Sequence, residues 1–344
     1  ASLIAWLLKT GGVDVSFIIG GILSNFESNY RLGSSDYIVI EGDEYDTAFF
    51  DKGPKFMHYH PLITVLTSIE FDHADIFRDM EHVERIFKEF IFSLEPESFL
   101  IACYEDKTVY EFSAAAGCRV VGYGENTDAA WQIKNRSNSP PLSLFDVFQS
   151  GQYMDHFKTG LMGRHNLYNA LAAIAVADQL AIPPSSIQAA LKTFSGVKRR
   201  QEVRGIKNGV TVIDDFAHHP TAVRETIRAV KPFYGNGRLI AVFEPRTNTS
   251  MRDIFQNVYP DAFNGADLIC IREPSLLSKI PADHQFSSAR LVKDIQARGM
   301  DAHYFENTVA IIEFLAEQTR SGDAILIMSN GGFDNIHERL LETL

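Results

Sequence analysis

The chain has 344 residues, enough for two domains with separate hydrophobic cores. Hydrophobic residues make up 45% and charged residues 22%, which is typical of soluble globular proteins. The formal net charge of −12 argues against a general nucleic-acid binder, because phosphate would be repelled, but it leaves nucleotides open as ligands. Cys103, Cys118 and Cys270 form no CxxC pair, which favours a reducing cytoplasm over a disulfide framework. No run of about 18 apolar residues predicts a membrane span.

The first part of the chain alternates apolar strands with helices, the pattern of a parallel α/β sheet. An opening helix with one apolar face ends at Gly11-Gly12, and because it starts without Met we expect its beginning to be missing. The predicted strands cover residues 17–19, 37–41, 63–67, 99–102 and 119–122. Within the second of these strands, residues 37–40 form a short, β-branched and apolar run, which favours a buried inner strand. Residues 79–94 form an amphipathic helix, and the polar, turn-rich residues 126–158 predict a small antiparallel excursion.

The second part is a more regular βα repeat. An alanine-rich helix at 166–180 and a basic stretch around residue 200 lead into it, so we divide the chain into domains 1–200 and 201–344. The predicted strands are 210–214, 239–243, 268–271 and 324–328. The predicted helices are 220–231, 251–263, 287–298 and 308–319. This alternation predicts a Rossmann-like α/β domain.

Acidic residues follow two of the predicted strands at their carboxyl ends, where ligands bind in open α/β sheets. The first cluster, in "EGDEYD", consists of Glu41, Asp43, Glu44 and Asp46. The second, in "IEFDHAD", consists of Glu70, Asp72, His73 and Asp75. Carboxylates beside an imidazole suit a divalent cation that also carries phosphate ligands. The alternative is a solvated acidic turn followed by a histidine that only makes hydrogen bonds.

Two polar motifs flank the domain boundary. In "GRHNLYNA", Asn166 and Asn169 are three residues apart at a helix start and therefore share a face, and Asn166 also suits an N-cap. In "VKRRQE", Lys198, Arg199 and Arg200 form either a solvated basic face or a phosphate clamp.

Three further motifs lie at strand ends of the second domain. "DDFAHHPTAV" places two acids and two histidines at a strand-to-helix junction, more polar groups than such a turn requires. "EPRTNTSM" contains Arg246, Thr247 and Asn248. "MSNGGFDN" contains Ser329, Asn330 and a glycine pair whose amides suit an anion. All three could also be ordinary turns with helix caps.

Taken in this order, these seven motifs resemble the Mur ligases over nearly the whole chain, with residues 126–158 the weakest part. The resemblance implies a central ATPase-type parallel-sheet domain followed by a Rossmann-like carboxyl-terminal domain. It also implies ATP-dependent amide formation through an acyl phosphate, in the cytoplasm and in cell-wall peptide recycling. The carboxyl-terminal motifs favour members that join L-Ala-γ-D-Glu-meso-diaminopimelate to UDP-N-acetylmuramate. Members that add L-alanine to UDP-N-acetylmuramate are the alternative.

The resemblance also implies residue roles. It makes Glu41 and His73 the ligands of Mg²⁺, with Arg200 reaching the ATP phosphates as a third catalytic residue. The residues that it places near the nucleotide are Asn166, Asn169, Arg200, Asp215, His218 and His219. The residues that it assigns to the incoming peptide are Arg246, Thr247, Asn248, Ser329 and Asn330.

The chain departs from the family pattern in two places. The family's phosphate-binding loop and amino-terminal UDP-sugar domain have no counterpart here, so we expect a fragment that is inactive by itself. The position of the family's carbamylated lysine is occupied by Phe87, with Lys88 next to it, which argues against a second metal site. A non-catalytic binding remnant therefore remains an alternative, and a metal-dependent hydrolase using His73, His218 and His219 is a weaker one.

Overall fold

The computed structural model describes residues 1–74, 76–235, 237–275 and 277–344. These residues form two compact units, Ala1–Lys198 and Arg199–Leu344. The sequence analysis placed the domain boundary after residue 200. In the structure the division falls between Lys198 and Arg199, so Arg199 and Arg200 belong to the second unit. In the part of the chain that is described, no helix is both long and apolar enough to cross a membrane.

The first unit contains five helices among its described residues. They are α1 (Ser2–Thr10), α2 (Met80–Ser93), α3 (Lys107–Ser113), α4 (Arg164–Gln179) and α5 (Pro184–Thr193). Its strands are β1 (Ser16–Leu23), β2 (Ser28–Arg31), β3 (Ile38–Ile40), β4 (Asp46–Ala48), β5 (Asp51–Pro54), β6 (Ile63–Leu66), β7 (Phe99–Cys103), β8 (Arg119–Gly124), β9 (Trp131–Ser139), β10 (Leu142–Gln149) and β11 (Gln152–Thr159).

The main sheet of this unit has the strand order β11-β10-β9-β8-β7-β6. Strands β6 to β9 are parallel, whereas β9, β10 and β11 are antiparallel. The predicted antiparallel excursion is therefore confirmed, and it extends the parallel sheet. Helix α4 is buried over most of its surface, as expected for a helix that is apolar on every side, and α1 and α5 pack against it.

The prediction of a buried inner strand at 37–41 is wrong. Strand β3 pairs in parallel with β1 at the edge of a three-stranded sheet of order β2-β1-β3. The side chains of Ile38 and Ile40 are 52% and 38% exposed. A run of β-branched residues favours a strand, but the strand's neighbours, which no local sequence specifies, decide whether its faces are covered.

The second unit is one six-stranded sheet with helices. Its strands are β12 (Glu202–Lys207), β13 (Val210–Asp215), β14 (Leu239–Phe243), β15 (Leu268–Arg272), β16 (Ala302–Phe305) and β17 (Ala324–Met328). Its helices are α6 (Pro220–Val230), α7 (Tyr259–Ala262), α8 (Ser288–Gln296), α9 (Thr308–Gln318) and α10 (Ile336–Thr343). The order is β12-β13-β17-β14-β15-β16, parallel except for β12, which confirms the predicted α/β class.

Two differences from the sequence prediction have local causes. The predicted helix at 251–263 is wrong, because only a 3₁₀ turn (Asp253–Phe255) and the short helix α7 form there. Pro260, the second residue of α7, has no amide hydrogen to bond to the preceding turn, so it strongly disfavours a continuous helix through this position. Strand β12, inside the stretch that the sequence assigned to the junction, was missed because its basic and glycine residues are typical of a linker.

Candidate functional site

The first polar region is an acidic cleft in the first unit, following β3 and β6. It encloses about 40 Å³ and is lined by Glu44, Ser68, Glu70, Asp72, His73, Phe77, Val83 and Phe87. The His73 backbone is left-handed at φ 50°, and its amide donates to Oδ1 of Asp72 at 2.7 Å. The His73 ring packs edge-on against Tyr45 with centroids 4.8 Å apart. The structure thus brings Glu70, Asp72 and His73 together, while Asp75 lies outside the described residues.

Glu41 lies at the end of β3 and is held by β1. Its Oε2 accepts a hydrogen bond from the Gly20 amide at 2.6 Å. A Cβ atom on Gly20 would lie 3.1 Å from this same oxygen, so the absence of a side chain permits the close approach. Glu41 is not among the described residues that line the cleft, and the acid that shares the cleft with His73 is Glu44. Burial raises the pKa of Glu44, and the nearby His73 partly offsets this shift.

The donor set of this region fits Mg²⁺ in chemistry, because carboxylate oxygens are what the ion prefers. Within the described residues, however, no group of three or more His, Cys, Asp or Glu side chains is placed to hold a metal. Phe87 fills part of the cleft, whereas the Nζ of Lys88 lies over the rings of Phe92 and Phe112, at 5.8 Å and 6.0 Å. Phosphate and water would therefore have to supply most ligands of a bound cation.

Asn166 and Asn169 lie together at the start of α4. Nδ2 of Asn169 donates to Oδ1 of Asn166 at 3.5 Å, so the predicted shared face is confirmed. The predicted N-cap is wrong, because α4 begins at Arg164 with Gly163 as its cap. Instead, Nδ2 of Asn166 donates to the Met162 carbonyl at 2.9 Å. The helix begins three residues earlier than a cap at Asn166 would place it.

The two arginines of the basic motif have different surroundings in the second unit. Both guanidinium carbons lie 5.1 Å from the centre of the Phe216 ring. Nη2 of Arg199 also donates to the carbonyls of Ser329 and Gly331, at 2.5 Å and 2.7 Å, so Arg199 is committed to internal contacts. Arg200 is exposed. Of the two, Arg200 is the one positioned to bind a phosphate from solvent.

The acids of the "DDFAHHP" motif are buried and have internal partners. Asp214 lies 3.3 Å from both Arg204 and His337 and 3.5 Å from Arg199. Asp215 is 3% exposed. Its Oδ1 accepts from the Ala217 amide and the Thr226 hydroxyl, and its Oδ2 from the Gln201 amide. Burial raises the pKa of Asp215, an effect that Arg200 opposes. Both carboxylate oxygens of Asp215 therefore already have partners within the protein. A contact between Asp215 and the ribose stays a prediction.

Both histidines of this motif make structural contacts. Nδ1 of His219 accepts from the Thr221 amide at 3.3 Å and so caps α6, leaving Nε2 to carry the proton in the neutral ring. Nδ1 of His218 lies 3.0 Å from the carbonyl oxygen of Phe216 and is therefore the donor. The His218 carbonyl accepts from the Tyr259 hydroxyl at 2.5 Å. The sequence analysis held that the motif contains more acids and histidines than the structure of the turn requires. That interpretation is wrong, because both acids and both histidines make structural contacts.

The residues predicted to hold the peptide surround the turns after β14 and β17. The hydroxyl of Ser250 accepts from the amides of Arg246 and Thr247, at 3.0 Å and 2.9 Å, which shapes the first turn. Asn248 is exposed on this turn. Nη1 of Arg246 lies 3.7 Å from Oε1 of Glu244. This arrangement leaves the Arg246 guanidinium partly exposed, so it can meet an anionic group of a ligand.

Ser329 and Asn330 differ in what they can offer a ligand. Ser329 is 2% exposed, and its hydroxyl donates to Oε2 of Glu244 at 2.7 Å while accepting from the Gly331 amide at 3.0 Å. Its contacts are internal. The side-chain oxygen of Asn330 is buried and has no hydrogen-bond partner in the part of the chain that the structure describes. Asn330 is therefore the better candidate to accept a hydrogen bond from a substrate.

Sequence reasoning missed three charged residues at these turns, namely the buried Glu244 and Arg272 and the half-exposed Asp334. Glu244 is completely buried and Arg272 is 7% exposed. Arg272 ends the otherwise apolar strand β15. A charged residue at the carboxyl end of such a strand is the signal that could have identified it.

Comparison with known proteins decides the family. The profile of the Mur ligase middle domain matches residues 21–177, and that of the Mur ligase, glutamate ligase domain matches residues 199–331. The chain belongs to the Mur ligase family. A Mur-family ligase uses ATP to join its two substrates, which agrees with the activity expected from the motifs.

Individual relatives carry two different names. The UDP-N-acetylmuramate–L-alanyl-gamma-D-glutamyl-meso-2,6-diaminoheptandioate ligase of Escherichia coli is 36% identical over 345 residues, 100% of this chain and 73% of that protein. The UDP-N-acetylmuramate–L-alanine ligase of Caldanaerobacter subterraneus is 32% identical over 342 residues, 99% of this chain and 72% of that protein. The crystal structure of a murein peptide ligase from Psychrobacter arcticus matches with a TM-score of 0.70 and 30% identity, covering 99% of this chain and 74% of that one.

Proposed function

We propose that this Mur ligase joins the tripeptide L-Ala-γ-D-Glu-meso-diaminopimelate to UDP-N-acetylmuramate at the expense of ATP. The observation that carries the proposal is the greater identity, over the whole chain, to relatives named for that reaction. These are 35% and 36% identical, against 32% for the Caldanaerobacter L-alanine ligase. The margin is small, so L-alanine addition is retained as the second candidate.

The chemistry has two steps. A carboxylate oxygen of UDP-N-acetylmuramate attacks the γ-phosphorus of ATP, forming an acyl phosphate and releasing ADP. The acceptor amine then attacks the acyl carbon, phosphate leaves with its bonding electrons, and the nitrogen loses a proton to give the amide. In such reactions, positioning and electrostatic stabilisation do most of the catalytic work. Bound Mg²⁺ would supply positive charge to the phosphates.

The proposed residue roles are those that the family motifs imply. Where several residues share a role, the contacts in this structure indicate which of them can reach a ligand. Glu41 and His73 are the proposed ligands of Mg²⁺, and Arg200 is the proposed phosphate contact. The proposed nucleotide residues are Asn166, Asn169, Asp215, His218 and His219. The proposed acceptor residues are Arg246, Thr247, Asn248, Ser329 and Asn330. Among the acceptor residues, Arg246 and Asn330 are the proposed direct contacts, because the hydroxyl of Ser329 already has two internal partners.

The deciding experiment measures ADP release by the complete protein that contains this sequence, with ATP, Mg²⁺ and UDP-N-acetylmuramate. The tripeptide and free L-alanine are compared as acceptors, and omission of the acceptor is the control. Release that depends on the tripeptide supports the proposal. Release with L-alanine alone would establish the second candidate. Absence of release with either acceptor would refute both and favour a non-catalytic member of the family.

A further inference from the structure

A buried charged group connects the carboxyl ends of two neighbouring strands in the second unit. Glu244 directly follows β14, and Arg272 is the last residue of β15. Nη1 of Arg272 lies 2.5 Å from Oε1 of Glu244, and Nη2 lies 2.7 Å from Oδ2 of Asp334. The two ends of one planar guanidinium therefore bind carboxylates from two different segments.

The second of these segments, residues 333–335, has an unfavourable backbone conformation. Phe333, Asp334 and Asn335 are left-handed, with φ of 45°, 50° and 55°. Three successive non-glycine residues in this region are unusual, because the Cβ atom crowds the backbone, and only Asp and Asn tolerate it well. Such a conformation persists only where surrounding contacts hold it.

The contacts that hold this turn are centred on Asp334 and Arg272. Oδ2 of Asp334 accepts from the Thr308 hydroxyl at 2.8 Å and pairs with Arg272. The Arg272 guanidinium also lies over the Phe333 ring, 5.5 Å from its centre. Loss of the Arg272 side chain would therefore remove both the charge partner of Asp334 and the cation above Phe333.

The same arginine acts on the acceptor residues through Glu244. Oε1 of Glu244 faces both Arg272 and Arg246, at 2.5 Å and 3.7 Å, and Oε2 accepts from Ser329. Glu244 is fully buried, so these contacts are its means of replacing the hydrogen bonds that water would provide. Arg272 thus determines the position of the carboxylate against which both Arg246 and Ser329 are aligned.

We propose that Arg272 is a positioning residue of the acceptor site. Its guanidinium holds Glu244 on one side and the left-handed turn at 333–335 on the other, so that Arg246 and Asn330 face the carboxylate and amide groups of the acceptor. The inference rests on the proposed function in naming the acceptor as the ligand. The competing explanation is a buried ion pair that only affects stability, as many such pairs do.

Arg238 provides a matched control. Its Nη2 lies 2.7 Å from Oδ2 of Asp323, whose side chain is completely buried, so this pair has the same chemistry. Arg238 precedes β14, at the opposite end of the sheet from the candidate acceptor residues. Arg272→Lys and Arg238→Lys each keep the positive charge and lose the forked guanidinium contacts, which for Arg238 go to Asp323 and to the Gln318 carbonyl. A general loss of stability should therefore affect both variants.

The first measurement is the KM of the acceptor and of ATP in the complete protein. In Arg272→Lys, we expect the acceptor KM to rise about 10- to 100-fold while the ATP KM is unchanged, since misplacement of binding groups by about 1 Å has effects of this size. Arg238→Lys should change neither value. Asp334→Asn, at a half-exposed side chain, removes the charge with which Arg272 pairs and should also raise the acceptor KM. It provides the test if Arg272→Lys fails to fold.

The second measurement is hydrogen exchange of residues 329–335, which requires no activity. Exchange there should be faster in Arg272→Lys than in Arg238→Lys at equal thermal stability. Unchanged acceptor KM together with unchanged exchange would overturn the inference and leave Arg272 as a stabilising residue. If the parent protein releases no ADP with either acceptor, the proposed function fails, and the exchange result alone decides whether Arg272 holds this turn.

Discussion

The Arg246 side chain lies directly against the α-carbon of Gly331. A Cβ atom on Gly331 would be 2.1 Å from Cδ of Arg246, closer than any two such atoms can approach. The two residues follow β14 and β17, which are adjacent in the sheet although they are far apart in the chain. The missing side chain at position 331 is therefore what allows the arginine to occupy its place.

Gly331→Ala should displace Arg246 and weaken acceptor binding. We expect the acceptor KM to rise by about tenfold or more, because binding groups must be held within a fraction of an ångström, while the ATP KM stays constant. Steady-state kinetics with each substrate varied in turn measures both values. Gly332→Ala is the control, since a Cβ atom there meets nothing within 4 Å. An equal effect of the two substitutions would contradict the prediction.

Arg200 and Arg246 should affect different substrates. Arg200 is exposed beside Phe216, and we expect Arg200→Ala to raise the ATP KM and to spare the acceptor KM. Arg246→Ala should do the reverse, because its guanidinium borders the turn of Ser329 to Gly331. Titrations of both variants with the nucleotide and with the acceptor test whether each substitution changes the KM of only one substrate. If Arg246→Ala altered only ATP affinity, its assignment to the acceptor would be wrong.

Glu41 and His73 should be needed for the response to Mg²⁺. Glu41→Gln keeps an oxygen for the Gly20 amide and removes only the charge, so it tests the cation role without loss of that contact. We expect Glu41→Gln and His73→Ala to lose turnover and saturation by Mg²⁺ while circular dichroism remains unchanged. Glu97→Gln, at an exposed acid outside the cleft, should behave like the parent. A normal Mg²⁺ titration in either cleft variant would remove that residue from the metal site.

Glu44 should make the first unit less stable as the pH rises. Its pKa is raised above the usual 4.5 by burial, so the folded state binds its proton more tightly than the unfolded chain does. The stabilisation is complete below pH 4.5 and is lost as the pH rises through the folded-state pKa. Glutamine does not titrate, so Glu44→Gln should not lose stability in this way. The free energy of unfolding of the variant, relative to that of the parent, should therefore increase with pH across that window. Urea unfolding at several pH values without Mg²⁺ measures the difference, and a difference independent of pH would refute it.

Asp214 should stabilise the second unit above acidic pH. His337, Arg199 and Arg204 outweigh the effect of burial and lower the pKa of this carboxyl below its usual 3.8. Its contribution is therefore present above pH 3.8 and is lost as the pH falls through the lower folded-state pKa. Asp214→Asn should cost roughly 2–4 kcal/mol in the free energy of unfolding at neutral pH, because the buried carboxylate is lost as the counter-charge of the partly exposed Arg199 and Arg204. Hydrogen exchange of β13 with increasing urea measures this cost, and Glu313→Gln, at an exposed acid, should show none.

The sequence predicted elements well where the signal is local. The alanine-rich helix α4, the amphipathic helix α2 and the four inner strands of the second sheet have apolar patterns that specify their type and length. Prediction from the sequence failed where contacts with segments distant in the chain decide the structure. Nothing in residues 37–41 indicates that β3 lies at an edge. The cap of α4 is a local error of a different kind, because Gly163 precedes Asn166 in the same motif and glycine also serves as an N-cap.

The sequence alone determined the family, the α/β class and the set of polar residues from which the sites are built, because motifs and hydrophobic periodicity are properties of short segments. Only the tertiary structure decided how those residues are used. It showed that Asp215 and Ser329 have internal partners, that Glu44 shares a cleft with His73, and that Arg272 connects Glu244 to Asp334. Such relationships join residues from separate strands and loops, and their distances arise only when the sheet brings those segments together.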